Sequence, residues 1–224
     1  MFLIFVGLFR NWEIFILGFY EICRILCRFL LKLFFDFHIT GLENVDDVGG
    51  FILISNHQSN WDPVMLGLYL NRRLYFMAKS ELFSLPFFSF IIKKLGAFAV
   101  TRGSRDLKII DTACNVVKDG KILAMFPEGH RSKSGEILKF KTGVVKIALK
   151  SNCKILPCSI FYVKGKFRKK VYLNYGDAFS LKSVVGINFD EKKMNLIDFK
   201  MLSEVVRSKV VKMFLEQKLN CVKN

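Results

Sequence analysis

Short apolar runs alternate with segments of helical period along most of the chain, behind a long apolar opening. In the first 35 residues (MFLIFVGLFRNWEIFILGFYEICRILCRFLLKLFF) Phe, Leu and Ile dominate, while Glu21, Arg24, Arg28 and Lys32 recur three or four apart. That spacing lines one face of a helix with charge. Beyond it, strands are predicted over 37–40, 51–55, 74–77, 97–100, 122–126, 155–160 and 171–175. Asp62-Pro63 reads as a helix start, with Asp62 in the cap position and Pro63 in the first turn. Further helices are predicted over 104–118, stopped near Gly120, and over 143–150 and 203–217. Strands alternating with helices predict an α/β fold, a mixed, mostly parallel sheet covered by helices. No internal repeat or low-complexity linker divides the chain, so the expected units are a segment over 1–35 and one domain over 36–224.

Charge and composition separate those two units further. The 224 residues are 52% hydrophobic, include 24 Phe and carry a net +16. High charge alone would suit disorder, but not at this hydrophobicity, and the chain is long enough to bury its own core. The first fifty residues hold four cations against six carboxylates, a net −2, so the other 174 carry +18. No uncharged stretch in the opening exceeds nine residues, too short for a spanning helix. No basic region precedes the apolar run and no small-residue cleavage site follows it, which argues against a secretory signal. Residues 1–35 are therefore expected to form one or two helices lying in a membrane interface; ordinary packing on the body is the competing reading. The localisation that follows is membrane-associated, on the cytoplasmic face, where the six cysteines stay reduced. With no CxxC pair and three histidines, no metal site is expected. Cys23 and Cys27 stack on one helix face, in position for packing or for palmitoylation.

Four segments carry candidate chemistry. Asn56-His57-Gln58-Ser59-Asn60-Trp61-Asp62 sits where a buried strand gives way to a helix, at the sheet edge where ligands bind in α/β folds. A tight turn there can bring Asp62 back to His57, fixing the ring tautomer and leaving the other nitrogen as a general base. Phe126-Pro127-Glu128-Gly129-His130-Arg131-Ser132 also follows a strand. It offers a carboxylate that can accept from a substrate hydroxyl, a glycine for close backbone approach and a guanidinium suited to phosphate. GAFAVTR, residues 96–102, adds Arg102, and Phe140-Lys141-Thr142-Gly143 adds an ammonium near a helix start. Taken singly, each segment is equally readable as a capped turn or a solvated surface cation.

Taken together and in this order, NHQSNWD, GAFAVTR, FPEGHRS and Ile155-Leu156-Pro157-Cys158 resemble the four blocks of the glycerolipid acyltransferases. In size and motif style the chain is most similar to the 1-acylglycerol-3-phosphate (lysophosphatidic acid) acyltransferases, over about residues 36–160. The resemblance implies transfer of a fatty acyl group from a thioester, on acyl carrier protein or coenzyme A, to the sn-2 hydroxyl of lysophosphatidic acid, giving phosphatidic acid. No cofactor beyond that co-substrate is implied. Carried onto this sequence, His57 is the catalytic base and Asp62 its partner. Arg102, Glu128, Gly129 and Arg131 bind the glycerol phosphate, and Pro157 lies in the apolar fourth block. Lys141, from its own segment near a helix start rather than from the four blocks, is a further candidate for the phosphate. His130 stands where the family usually has Thr or Ser, which bears on acceptor preference.

Residues 164–170 (KGKFRKK) place five cations in seven positions. A solvated loop, contact with anionic head groups and contact with acidic acyl carrier protein are all consistent with that run. The expected partners are thus the lysophospholipid, the acyl thioester and an anionic membrane surface. Nucleic acid is not among them, because no binding motif or stacking platform accompanies the charge. Glycerol 3-phosphate or another lysolipid as acceptor and, from a different class, a basic non-catalytic membrane or nucleic-acid-binding protein are the alternatives.

Overall fold

The computed structural model describes residues 2–100, 107–185 and 194–223. One helix, α1 (Phe2–Phe34), runs directly into the first strand, β1 (Phe35–Thr40). There follow β2 (Phe51–Ser55), α2 (Asp62–Gly67), β3 (Leu74–Lys79), α3 (Pro86–Lys94), β4 (Ala97–Val100), α4 (Leu107–Lys118) and β5 (Ile122–Met125). The chain continues through α5 (Gly143–Ser151), β6 (Lys154–Val163), β7 (Lys169–Tyr175), β8 (Phe179–Ser180), α6 (Leu181–Val185) and α7 (Leu196–Lys223).

The strands form one sheet in the order β1-β7-β6-β2-β5-β3-β4, with β8 beside β6. Pairs β2–β5, β2–β6, β3–β5, β3–β4 and β1–β7 are parallel; β6–β7 and β6–β8 are antiparallel. The expected mixed, mostly parallel sheet is therefore present. Every residue of β2 (FILIS) and β5 (ILAM) is buried, as unbroken apolar strands must be when helices cover both faces. On one face Ile52, Leu123 and Ile155 pack against α4, α5 and α7 through Ala113, Val145, Val206 and Val210. On the other, Leu53, Ile122 and Leu156 meet Met65 and Leu66 of α2 and Leu31 of α1. Because β2, β3 and β5 are parallel, their carboxyl ends open on one edge.

Several boundaries differ from the sequence reading, each for a local reason. Asp62 is not the cap of α2: Trp61 holds that position, without a side-chain cap bond, and the Asp62 carboxylate turns back to the amides of Gln58 and Ser59. Helix α7 starts at 196 rather than 203. Its start is set by Asn195, whose side chain accepts from the amides of Ile197 and Asp198 while Asp198 accepts from Asn195 N–H, a reciprocal cap. Helix α3 is absent from the sequence reading: it has no polar cap and opens on Pro86 after the extended Leu85, so periodicity and Pro at the first turn were its only signals. The predicted start of α4 at residue 104 lies outside the described residues.

Over residues 18–34, helix α1 packs on the body by one side. Tyr20 and Leu31 are buried against it, and Arg24 reaches the carbonyl of Leu70 and the carboxylate of Glu21. At 100° per residue, Ile22, Ile25, Leu26, Phe29 and Leu33 fall on the opposite side, and all five are exposed. Among the described residues no helix is long and apolar enough to cross a membrane.

Candidate active site

The chain leaves β2 at Ser55, and the next side chain extends the sheet without a strand. Asn56 accepts from the amide of Ile160 at 2.8 Å and donates to its carbonyl at 2.9 Å. This amide pair ties the loop to β6 one residue past the last β2–β6 rung, Ser55 with Cys158. His57 is then held through its backbone on both sides. Its N–H donates to Glu128 Oε1 at 2.8 Å, and its carbonyl accepts from Ser132 N–H at 2.7 Å. The imidazole lies flat on Phe126, with centroids 4.1 Å apart and planes at 18°. The segments after β2 and after β5 thus interlock around one ring.

Asp62 brings that ring to its working orientation. The carboxylate is wholly buried, and Oδ2 accepts from Gln58 N–H at 2.6 Å, Ser59 N–H at 2.8 Å and His57 Nδ1 at 2.9 Å. Oδ1 accepts from the hydroxyl of Tyr162, on β6, at 2.5 Å. Four donors compensate the cost of burying the charge. They also fix Nδ1 as the protonated nitrogen, because a carboxylate only accepts, which leaves Nε2 for the cavity. Burial, with the Asp62 charge second, pushes the Tyr162 hydroxyl well above its usual range, so it donates at every physiological pH.

The expected grouping of Glu128, Gly129, Arg131 and Lys141 divides in two. Glu128 is 1% exposed, and its second oxygen accepts from Leu138 N–H at 3.2 Å. Its carboxylate is occupied by backbone amides rather than turned to a substrate, and burial raises its pKa despite those donors. Gly129, Arg131 and Lys141 do meet, on the wall of the cavity that contains His57. Gly129 has a φ of +76°, and a Cβ there would lie 2.6 Å from Lys141 Nζ. The end of the lysine therefore lies in the space a side chain at 129 would take, and the positive φ itself favours glycine there. Arg131 and Lys141 pair with no carboxylate among the described residues, and His130 and Lys133 line the same wall. Arg102 lies outside the described residues.

The cavity measures about 1230 Å³, more than the roughly 300–1,000 Å³ of ordinary small-molecule pockets. Away from the cations its lining is largely apolar, with Phe76, Met77, Leu82, Ile92 and Leu95 on one side. Tyr20, Cys23 and Cys27 of α1 complete the wall, so the N-terminal helix is part of the site. Such a chamber can hold a long apolar chain and an anionic group together, next to an oriented imidazole that can take a proton.

A family model described as Acyltransferase matches residues 36–161. The chain belongs to the acyltransferase family. The matched span takes in β1 through most of β6 and contains the four ordered segments. Among relatives of this acyltransferase, the 1-acyl-sn-glycerol-3-phosphate acyltransferase of Borreliella burgdorferi is 28% identical over 176 residues, 78% of this chain and 70% of that protein. The Bacillus subtilis enzyme of the same name is 29% identical over 141 residues, 62% of this chain and 70% of that protein. The crystal structure of the 1-acyl-sn-glycerophosphate (LPA) acyltransferase PlsC from Thermotoga maritima superposes with a TM-score of 0.66 at 26% identity. That superposition covers 93% of this acyltransferase and 89% of the Thermotoga chain.

Two contributors to the site were not singled out from the sequence. Tyr162 lies beyond the fourth segment in an ordinary strand pattern, and nothing local marks a tyrosine 100 residues from Asp62 as its donor. Asn56 stood inside the first segment without a role; a polar residue closing an apolar strand was its only signal.

Proposed function

We propose that the enzyme transfers a fatty acyl group from acyl carrier protein or coenzyme A to the sn-2 hydroxyl of 1-acylglycerol 3-phosphate, giving phosphatidic acid. The carrying observation is the His57–Asp62 pair beside an apolar cavity whose wall also bears Arg131 and Lys141, cations without a carboxylate partner among the described residues. The names of the relatives support the same acceptor.

In this mechanism His57 Nε2 removes the hydroxyl proton as the acceptor oxygen attacks the thioester carbonyl carbon. Asp62 stabilises the imidazolium that forms, as in a Ser-His-Asp triad, but the substrate supplies the hydroxyl. The C–S bond breaks, the ester forms, and the departing thiolate takes the proton from His57. Arg131 and Lys141, with Arg102, hold the phosphate and so fix the hydroxyl in reach of Nε2. Gly129 admits Lys141 to that position, and Glu128 acts through the backbone by anchoring His57. The acyl chain occupies the apolar arm.

The acceptor is a lipid, and the outward apolar side of α1 supports a membrane surface as the place where the enzyme meets it. We infer that the body lies on the cytoplasmic face, with the carrier thioester arriving from solution. Purified enzyme assayed against lysophosphatidic acid, glycerol 3-phosphate and other lysolipids, each with both thioester donors, tests the assignment. Preference for lysophosphatidic acid by tenfold or more in kcat/KM is expected. Equal turnover of a phosphate-free acceptor would remove the role given to the cations.

A further inference from the structure

The turn between β6 and β7, residues 164–168, lies outside the site and the family span, and its composition is unusual for a plain connector. Lys164, Lys166, Arg168, Lys169 and Lys170 are all exposed. Phe167, between two of them, is 89% exposed, the most exposed large apolar residue among the described residues. The tip is a built structure. A Cβ on Gly165 would lie 2.1 Å from the carbonyl oxygen of Arg168, so the turn closes only around glycine. Arg168 Nη1 donates to the carbonyl of Lys32 at 2.8 Å, tying the turn to the last turn of α1. Parallel pairing of Phe35 with Lys169 continues that contact.

We propose that this tip is a second membrane-docking element, which inserts Phe167 at the head-group level of an anionic bilayer while its lysines bind the lipid phosphates. The inference rests on the membrane reading of α1 and deepens it. Two observations favour a bilayer over an acidic protein. The ring projects from the tip with cations on both sides, matching an apolar layer beneath an anionic one. The tip also adjoins the end of the helix whose outward side, through Phe29 and Leu33, is already apolar. Docking at both places orients the body as well as tethering it. The next strand residues inward include Tyr162, under Lys169 at 5.5 Å and hydrogen-bonded to Asp62, so the tip holds the catalytic edge near its lipid acceptor.

Vesicle titration of the full chain tests this, using phosphatidylcholine alone and phosphatidylcholine with phosphatidylglycerol. Lys164→Gln/Lys166→Gln should weaken partitioning to the anionic vesicles by about 25-fold, fivefold per cation at about 1 kcal/mol each. Binding to neutral vesicles should stay unchanged. Phe167→Ser should weaken both by about tenfold, a partial loss of aromatic burial. Lys118→Gln/Lys182→Gln, which removes the same charge from α4 and α6, should change either by less than twofold. Turnover on detergent-dispersed substrates should match the unmodified enzyme in every variant. Tip variants that bind both vesicles normally would overturn the proposal while leaving α1 as the anchor. Normal vesicle binding with a raised KM for the carrier-protein thioester alone would assign the tip to an acidic protein instead. Failure of the unmodified chain to bind either vesicle would overturn the membrane reading itself.

Discussion

Asp62→Asn separates the charge of the pair from its geometry. In a Ser-His-Asp triad this change leaves the geometry intact but switches the imidazole to the wrong tautomer, because the new amide donates where the carboxylate accepted, and the loss is about 10⁴ in kcat. Here the amides of Gln58 and Ser59, at 2.6 and 2.8 Å, both point at Oδ2. An asparagine must therefore place its oxygen there and its NH₂ toward Tyr162, whose hydroxyl can turn to accept. His57 Nδ1 keeps its acceptor and only the negative charge is lost. With the contact at 2.9 Å, the charge centres lie about 4 Å apart, worth about 4 kcal/mol at an effective dielectric of about 20. Proton transfer between half and fully complete in the transition state then predicts a kcat loss of about 30-fold to 1000-fold. Steady-state kinetics at saturating lysophosphatidic acid, with a thermal melt to verify folding, measures it. A loss below tenfold would refute imidazolium stabilisation by Asp62. A loss beyond 10⁴ in a folded variant would refute the backbone lock on the tautomer.

Tyr162→Phe removes the donor to Oδ1 and should lower unfolding free energy by about 1.5–3 kcal/mol in chemical denaturation. Turnover should stay within about tenfold, because three donors still hold the carboxylate. Glu128→Gln should gain stability relative to the unmodified chain as pH rises above 4.5. Burial raises the folded-state pKa above that ordinary value, so the favourable contribution exists below it and is lost as pH rises through the folded value. Paired thermal melts across pH 4 to 8 read the trend, and a gap that moves the other way would contradict it. Arg131→Ala and Lys141→Ala should each raise KM for a phosphate-bearing acceptor by about 10-fold to 100-fold, the worth of a hydrogen bond to a charged group. A phosphate-free lysolipid should be affected by less than threefold in the same kinetics, the residual effect of positioning.

Much of the sheet is readable from the sequence because the central strands are buried on both faces. FILIS and ILAM have no polar partner to blur their limits, and the predicted 51–55 coincides with β2. The ends of helices were less legible. Asn195 is an unremarkable residue until Asp198 completes its cap, and α3 has no polar cap at all. At the site, one short loop carries both His57 and Asp62, so their pairing was open to the sequence, but spacing alone read equally as a capped turn and only the four ordered segments together favoured the pair. Glu128 and Tyr162 could not be placed in this way. Whether a carboxylate meets substrate or a backbone amide depends on where the β5 loop crosses the β2 loop, and Tyr162 reaches Asp62 only through the β2–β6 pairing. The contribution of Tyr20, Cys23 and Cys27 to the cavity wall likewise depends on how α1 folds back, which no local pattern specifies.

The central claim is that His57 takes the proton from the acceptor hydroxyl. Formation of phosphatidic acid from lysophosphatidic acid and an acyl thioester, by the purified full chain and by His57→Ala, tests it most directly. The unmodified enzyme should turn over, and the variant should lose at least about 10³ in kcat while melting as a folded protein and still binding vesicles. Turnover within tenfold of the unmodified enzyme would contradict the mechanism.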